Sequence, residues 1–546
     1  MPDFHSPIEA FLYWESKKPD QVFLKQPKGD KVYTYTYAEV GLQARKIAAA
    51  LKSYGLPNRS HVALLSKNCA HWVMADLAIM MAGYVSIPIY PSLNAKSISQ
   101  ILIHSESKAI IVGKLDDFES QKPGIPNMPI ISTEMYGIEV GDKWEVLMKN
   151  NTTINDVYLP KHDDLHTIIY TSGTTGNPKG VMHTVSNFAV SSKTFVKVMN
   201  LPENLKLFSY LPLAHVAERA LCNAGLSLGA SITFFDTMET YARDLENTQP
   251  HVFFAVPRIW TKFREKILNS IPQKKLNVLL SIPILNAIVR NKLKKKLGLK
   301  DAVFIVSAAA PIAFSLVKWY KKLGITIHQG YGMTEDCCVS HFNLPKSHKI
   351  GTVGKTVLGA KAKLSPEGEI CVKNDCLMVG YYKSPEATAA VFDEDGYLKT
   401  GDIGEFDHDG FLTITGRVKD QFKTDKGKYI SPSHMELLLS SNTDIEQICI
   451  VGTGIPQPIA LITLSELGKV KSETELTESL VESINTINPS LEKHEMLEKV
   501  VVMKEDWNVD NGLTTPSLKV KRNNIEKIHQ EFYKAWFESA DKVIFE

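Results

Sequence analysis

Net charge is almost absent from this chain: 62 lysines and arginines face 60 aspartates and glutamates, leaving a formal +2. Such a balance supplies no global field for a polyanion, so nucleic acid is excluded as the expected partner. Cysteine is scarce and scattered. The seven residues Cys69, Cys222, Cys337, Cys338, Cys371, Cys376 and Cys449 form no CxxC pair and are odd in number, which argues against a disulfide framework and a zinc site. A reducing, cytoplasmic compartment fits that usage. The start Met1-Pro2-Asp3-Phe4-His5 has neither the basic nor the apolar region of a secretory signal. Internal repeats and low-complexity tracts are lacking. No apolar run reaches the roughly 18 uncharged residues that cross a bilayer.

The nearest approach to such a run, Leu276 to Val289, is interrupted by Pro283 and followed by Lys292, Lys294, Lys295 and Lys296. Two readings stay open for 276–296. It is either a surface helix pair with solvated lysines or a basic, apolar patch in peripheral contact with an anionic membrane, which would suit a lipid-like substrate.

What is present is an ordinary globular composition, 44% hydrophobic and 22% charged, in 546 residues. That length is too great for one core and implies two or more domains. Val62 to Leu65, Trp72 to Ala82 and Ser86 to Ile89 read as strand, helix, strand. The alternation recurs around Ile168 and around Ser231 to Phe235, and Ile110 to Val112, Val252 to Val256 and Val303 to Ser307 are further β-branched runs. The expected class is therefore α/β, with mainly parallel sheets covered by helices. After the strand-like Phe411 to Thr415 the chain meets Gly416-Arg417-Val418-Lys419-Asp420 and changes to a small α+β pattern with charged helices. The expected division is a large N-terminal domain, 1–417, and a small C-terminal domain, 418–546.

One loop carries more chemistry than any other segment. Ile168-Ile169-Tyr170-Thr171-Ser172-Gly173-Thr174-Thr175-Gly176-Asn177-Pro178-Lys179-Gly180 runs from apolar strand into hydroxyls, glycines and a lysine. Glycine lets the backbone approach an anion, while N–H groups, hydroxyls and a compact ammonium supply charge-assisted donors for phosphate. The spacing is not that of a Walker A loop; Gly354-Lys355-Thr356 comes closest to one but has Lys349 where the first glycine belongs. Gly330-Tyr331-Gly332-Met333-Thr334-Glu335 adds an aromatic face for a base, a hydroxyl for a phosphate oxygen and a carboxylate suited to Mg²⁺. Asp402, in Thr400-Gly401-Asp402, and Arg417 add an acid able to bridge ribose hydroxyls and a guanidinium able to join it.

These residues together resemble the adenylate-forming (ANL) superfamily over nearly the whole chain. Tyr170 to Gly180 is similar to its phosphate loop, Tyr331 to Glu335 to its YGxTE motif, Tyr397 to Gly404 to its YxxTGD segment and Gly416 to Asp420 to its hinge. Leu211 to Arg219, which includes His215, resembles the long-chain fatty acyl-CoA synthetase branch, as do Val256-Pro257-Arg258-Ile259-Trp260, Asn68 to Ser92 and Leu513 to Arg522. The chain departs from that branch in three places. Ser307-Ala308-Ala309-Ala310-Pro311 stands where a Gly-Gly pair usually precedes Ala-Pro, Val185 where histidine is common, and Leu518 where glycine often precedes the lysine.

The resemblance implies a large domain and a small mobile one. It implies activation of a carboxylic acid, medium- to long-chain and fatty, by ATP to an acyl-adenylate and transfer to coenzyme A, with a carrier-protein phosphopantetheine as the alternative acceptor; a lapsed nucleotide-binding homologue is the non-enzymatic alternative. Thr171, Ser172, Gly173, Thr174, Thr175, Gly176 and Lys179 would hold phosphates. Ala309, Ala310, Pro311, Gly330, Tyr331, Gly332, Asp402 and Arg417 would hold the nucleoside side of ATP and Thr334 a phosphate oxygen, with Glu335 carrying Mg²⁺. Lys519 aligns with the adenylation lysine, with Lys521 as the competing assignment, and His215 borders the acyl and nucleotide site. Lys419 matches the hinge, and Lys423 and Gly427 match positions that reach the site after the small domain rotates.

Overall fold

The computed structural model describes residues 3–171, 178–515 and 519–546. The β-branched runs become strands of two large sheets. In one, His61–Leu65 pairs in parallel with Val85–Ile89 and Ala109–Val112, and Val85–Ile89 in turn pairs in parallel with Leu165–Thr171. Leu165–Thr171 then pairs antiparallel with Lys179–Thr184, which carries the short edge strand Gly380–Tyr381. In the other, Val252–Ala255, Phe304–Ser307 and His328–Tyr331 run parallel in that order. The expected α/β class with mainly parallel sheets is what the chain adopts.

The helix Ala70–Met81 is buried at every residue except Val73. Its run of alanine, methionine, leucine and isoleucine is apolar all round, which suits a helix covered on every side rather than one facing water. Beside the same core lies Val216–Ser227, and the two helices are joined by an ion pair in the interior. Arg219 donates through Nη2 to both oxygens of Asp76 (2.7 and 2.9 Å) and through Nη1 to Thr167 Oγ1 (2.7 Å). Thr167 lies in Leu165–Thr171, so the pair also ties both helices to that strand.

An antiparallel sheet of Lys361–Leu364, Glu369–Lys373, Leu398–Phe406 and Leu412–Arg417 leads to the small C-terminal domain. There Ile445–Val451, Ile459–Leu464, Lys499–Val502 and Val543–Phe545 form a mixed sheet with its own core around Met435, Ile450, Ile462 and Leu480. At the junction Gly416 has no room for a side chain: a Cβ would sit 1.9 Å from Ser431 Oγ, which itself donates to Thr415 O. Across the two domains Arg258 pairs with Glu446 at 2.5 Å, both side chains retaining solvent.

Candidate functional site

Ligands of parallel α/β sheets bind beyond the carboxyl ends of the strands. Thr171, the residues after Ser307, and Tyr331 each lie at such an end. Thr171 faces Lys179 across the antiparallel pair, so the strand ends present a hydroxyl and an ammonium at one place. Ser172, Gly173, Thr174, Thr175 and Gly176 lie outside the described residues.

Lys179 Nζ sits 4.7 Å from the centre of the Tyr381 ring, and Tyr381 Oη donates to Glu335 Oε1 at 2.8 Å. Glu335 is 8% exposed. Burial pushes its carboxyl up, against the Tyr381 hydrogen bond and the charges of Lys179 and Arg417. The short turn Thr334–Asp336 that presents it is pinned from behind by His183, whose Nε2 lies 2.7 Å from Thr334 O. A carbonyl only accepts, so His183 carries its proton on Nε2, and burial pushes the ring down to about 4 and keeps it neutral. Gly332 is required here: a Cβ would meet Cys338 Cα at 2.5 Å. Cys337 and Cys338 follow the turn in the left-handed region, with φ of 51° and 58°, a costly conformation for side-chain-bearing residues that the surrounding structure must hold in place.

Asp402 joins three segments. Its Oδ2 accepts from Tyr331 Oη (2.7 Å) and its Oδ1 from Arg417 Nε (2.8 Å), Arg417 being its cross-strand neighbour. Into the same cleft comes Lys519 from the C-terminal domain. Its backbone is fixed by Thr515 N donating to Lys519 O (2.8 Å) and Lys519 N to Thr515 Oγ1 (3.0 Å). The residue is exposed as a whole, yet desolvation in the cleft lowers the pKa of its ammonium; the Arg417 charge adds to that effect, and Asp402, Cys338 and Glu335 oppose it. Lys521 instead precedes the helix Arg522–His529 and spends its N–H on Leu513 O.

His215 caps the helix Val216–Ser227, its Nδ1 accepting from Ala217 N at 3.2 Å. Burial pushes it down to about 4, with the Lys519 charge adding to that effect. Ala309 has φ of +70°, the left-handed region that favours glycine, at a position where the resemblance leads one to expect glycine. Ala310 and Pro311 are exposed beside it, and the Ser307 hydroxyl is buried without a partner. Lys419 lies in the turn Val418–Asp420. Lys423 is exposed on the Phe422–Lys423 strand, its ammonium 5.4 Å from the Tyr429 ring centre, so in this arrangement it faces solvent rather than being enclosed in the cleft.

Sequence reasoning missed His183 and Tyr381. Each acts on a residue far along the chain, His183 on Thr334 and Tyr381 on Glu335; only the strand pairing of Gly380–Tyr381 with Lys179–Thr184 brings the second contact about. Among the described residues no group of three or more histidines, cysteines or acids could hold a metal ion. A single buried carboxylate still fits Mg²⁺, which takes one or two carboxylates and fills its remaining positions with water and substrate phosphate.

Buried titratable groups set a pH window for stability. His71, His183, His215, His328 and His341 are pushed from 6.5 down to about 4, chiefly by burial. Between those values the unfolded chain binds protons that the folded chain refuses, so stability falls as pH drops through that interval. Burial pushes Asp336 up to about 7 and Glu218 up to about 8. These hold protons that the unfolded chain releases, so their stabilisation is lost as pH rises through 7 and 8. The five imidazoles outweigh the carboxyls below about 6.5, and above it only the carboxyls act. The apparent unfolding midpoint should therefore peak near pH 6.5 and decline on both sides; a flat profile from pH 5 to 8 would contradict this.

The sequence of residues 11–382 matches a family model described as AMP-binding enzyme, and residues 419–541 match one described as AMP-binding enzyme C-terminal domain. The chain is 28% identical to the long-chain-fatty-acid–CoA ligase FadD15 of Mycobacterium bovis, over 95% of each chain. It is 27% identical to long-chain-fatty-acid–CoA ligase 5 of Rattus norvegicus, over 93% of this chain and 84% of that one. Among solved structures it resembles the adenylation domain of a carboxylate reductase from Mycobacterium chelonae, with TM-score 0.81 and 20% identity over 99% of this chain and 92% of that one. It also resembles an anthranilate CoA ligase in complex with anthranoyl-AMP, with TM-score 0.77 and 20% identity over 97% of this chain and 98% of that one. At that identity the likeness speaks to fold: a large N-terminal domain and a smaller C-terminal one.

Proposed function

The chain belongs to the AMP-binding enzyme family, and from that premise we propose that it activates a medium- to long-chain fatty acid with ATP and passes the acyl group to coenzyme A. The observation that carries this reading is the meeting of Tyr331, Glu335, Asp402, Arg417 and Lys519, from distant stretches of sequence, in one cleft. The names of the relatives, long-chain-fatty-acid–CoA ligases, support the acid and the acceptor.

In the first half-reaction a carboxylate oxygen bonds to the α-phosphorus of ATP as the bond to the bridging oxygen breaks and pyrophosphate leaves. Negative charge builds on phosphate oxygens, so fixed donors lower the barrier more than a covalent group would. Lys179 and the hydroxyls that follow Thr171 serve the β- and γ-phosphates, and Asp402 with Arg417 the ribose. Lys519, a compact and hydrated point charge, bridges carboxylate and α-phosphate. Glu335 would hold Mg²⁺, which would supply positive charge to the phosphates when bound. His215, neutral at working pH, borders the acyl side without adding charge.

In the second half-reaction the thiol sulfur bonds to the acyl carbon, the acyl–phosphate oxygen bond breaks, AMP leaves and the thiol proton passes to solvent. We assign the boundary between domains to 417/418 and the turning point to Lys419, with rotation of the small domain exchanging Lys519 for the surface around Lys423 and Gly427. Lys419→Pro, which fixes φ, should leave pyrophosphate exchange nearly intact and slow thioester formation at least tenfold. Unchanged overall turnover in that variant would reject the turning point.

The reading as a whole is tested by AMP release from a panel of short, medium, long and aromatic acids, with coenzyme A, with a phosphopantetheinylated carrier protein and with neither. Release that needs coenzyme A and favours longer chains is expected. Release that needs the carrier protein instead would reassign the acceptor, and no pyrophosphate from any acid would end the assignment. We place the enzyme in the cytoplasm, in line with its seven unpaired cysteines.

A further inference from the structure

Between Gln273 and Lys300 the chain has eight basic residues and no acidic one. It folds there into two helices, Gln273–Ser281 and Pro283–Lys296, with only Ile282 between them. Leu276 and Leu293 turn inward to a core that includes Trp260 and Tyr320. On the outside the pair leaves Val278 61%, Ile282 43%, Ile284 76% and Ile288 57% exposed. Isolated exposed apolar residues are ordinary, but four around one junction, on an element with no acid, form a patch.

The order along the helices gives the patch a polarity. Ile284, Ile288, Lys292 and Lys296 follow one another at i+4 and so share a face. The isoleucines lie next to the junction and the lysines begin about 12 Å further along the axis. The first helix mirrors this, with exposed Lys274 and Lys275 at its far end and Val278 nearer the junction. Arg290 donates to Lys322 O, bringing the exposed Lys321 and Lys322 alongside the second helix. The result is an apolar tip with a basic collar. Lysine stems can lie along apolar matter while their ammonium groups reach a polar, negative layer.

We propose that this helix pair docks the protein on an anionic lipid bilayer, the Ile282–Ile288 tip entering the acyl boundary and Lys292, Lys295 and Lys296 meeting the headgroups. The attachment is peripheral, since among the described residues no helix is long and apolar enough to cross a membrane. The charge pattern is what selects this occupant. A bilayer offers negative charge all round a shallow apolar layer, and the collar is basic on both sides of the tip without an acid to give register. The proposal does not depend on the ligase reading, although a membrane-held acid would reach such an enzyme readily.

The test uses the full-length protein without ATP or coenzyme A, sedimented with phosphatidylcholine vesicles and with vesicles containing about one-third phosphatidylglycerol. Binding to the anionic vesicles should exceed binding to the neutral ones by about tenfold and weaken with added salt. Ile284→Asp with Ile288→Asp should abolish it, and Lys292→Glu, Lys295→Glu and Lys296→Glu together should remove the preference for anionic lipid. These side chains face solvent, so circular dichroism and the unfolding midpoint should match the parent. Equal binding to both vesicle types, absence of binding, or undiminished binding by either variant would overturn the proposal. So would light scattering that shows a dimer broken by the isoleucine substitutions, since the tip would then be a self-association surface.

Discussion

Lys519→Ala will slow acyl-adenylate formation by a hundredfold or more while leaving thioester formation from supplied acyl-adenylate within a few fold. Removing one preorganised donor to a developing oxyanion typically costs about 2.7–4 kcal/mol of barrier, a factor of 10² to 10³. In the proposed reading Lys519 is such a donor: its backbone is fixed to Thr515, and its ammonium feels Asp402 and Glu335 across the cleft. Lys521→Ala is the control and should have little effect on adenylation, because Lys521 stands at the cap before the next helix. Lys519→Arg should restore little, since a planar fork cannot replace a point charge between two oxygens. Pyrophosphate exchange and thioester release, measured separately, decide it. Equal loss in both half-reactions, or a larger loss from Lys521→Ala, would count against the role.

Asp76→Ala will destabilise the large domain by about 3–5 kcal/mol, the usual cost of leaving one member of a buried ion pair uncompensated. Side-chain exposure is 1% for Arg219 and 8% for Asp76, so bulk water has little access to the lost partner's place. The neighbours that remain are Thr167 Oγ1, His166 Nε2 at 3.5 Å and the faces of Trp72 and Phe188, whose ring centres lie 5.7 and 5.4 Å from the guanidinium. None of them carries a full negative charge. Asp76→Leu combined with Arg219→Met should recover most of the loss, because apolar side chains of similar volume need no charged partner. Urea midpoints of the parent, the single and the double variant settle the point. If the single substitution leaves the midpoint in place, the pair is not what holds the two helices together.

The fold was legible wherever the chain repeats a simple physical rule. Runs such as Val62–Leu65 and Val303–Ser307 are short and apolar, and they became His61–Leu65 and Phe304–Ser307, displaced by a single residue. The helix read as Trp72 to Ala82 became Ala70–Met81. Asp402 and Arg417 were grouped from their chemistry, and strand pairing supplies the reason: they are partners across Leu398–Phe406 and Leu412–Arg417. Contacts between distant turns were not legible. Nothing near His183 announces that it will hold Thr334 O, and nothing near Tyr381 announces Glu335. Asp76 and Arg219 were noticed only as letters within family-like segments, because a buried ion pair has no period. An alanine at 309 was readable as a departure, but its left-handed backbone was not.

The Arg258–Glu446 pair bears on timing. It spans the two domains with both side chains partly wetted, 39% and 18% exposed, and partly solvated pairs of this kind contribute roughly 0.2–1 kcal/mol. Under the proposed rotation that is a factor of about 1.4 to 5 in how often a latch stays shut, enough to bias one posture and too little to trap it. In the proposed rotation, ionic strength would act as a throttle on the swing, more salt loosening this partly wetted catch.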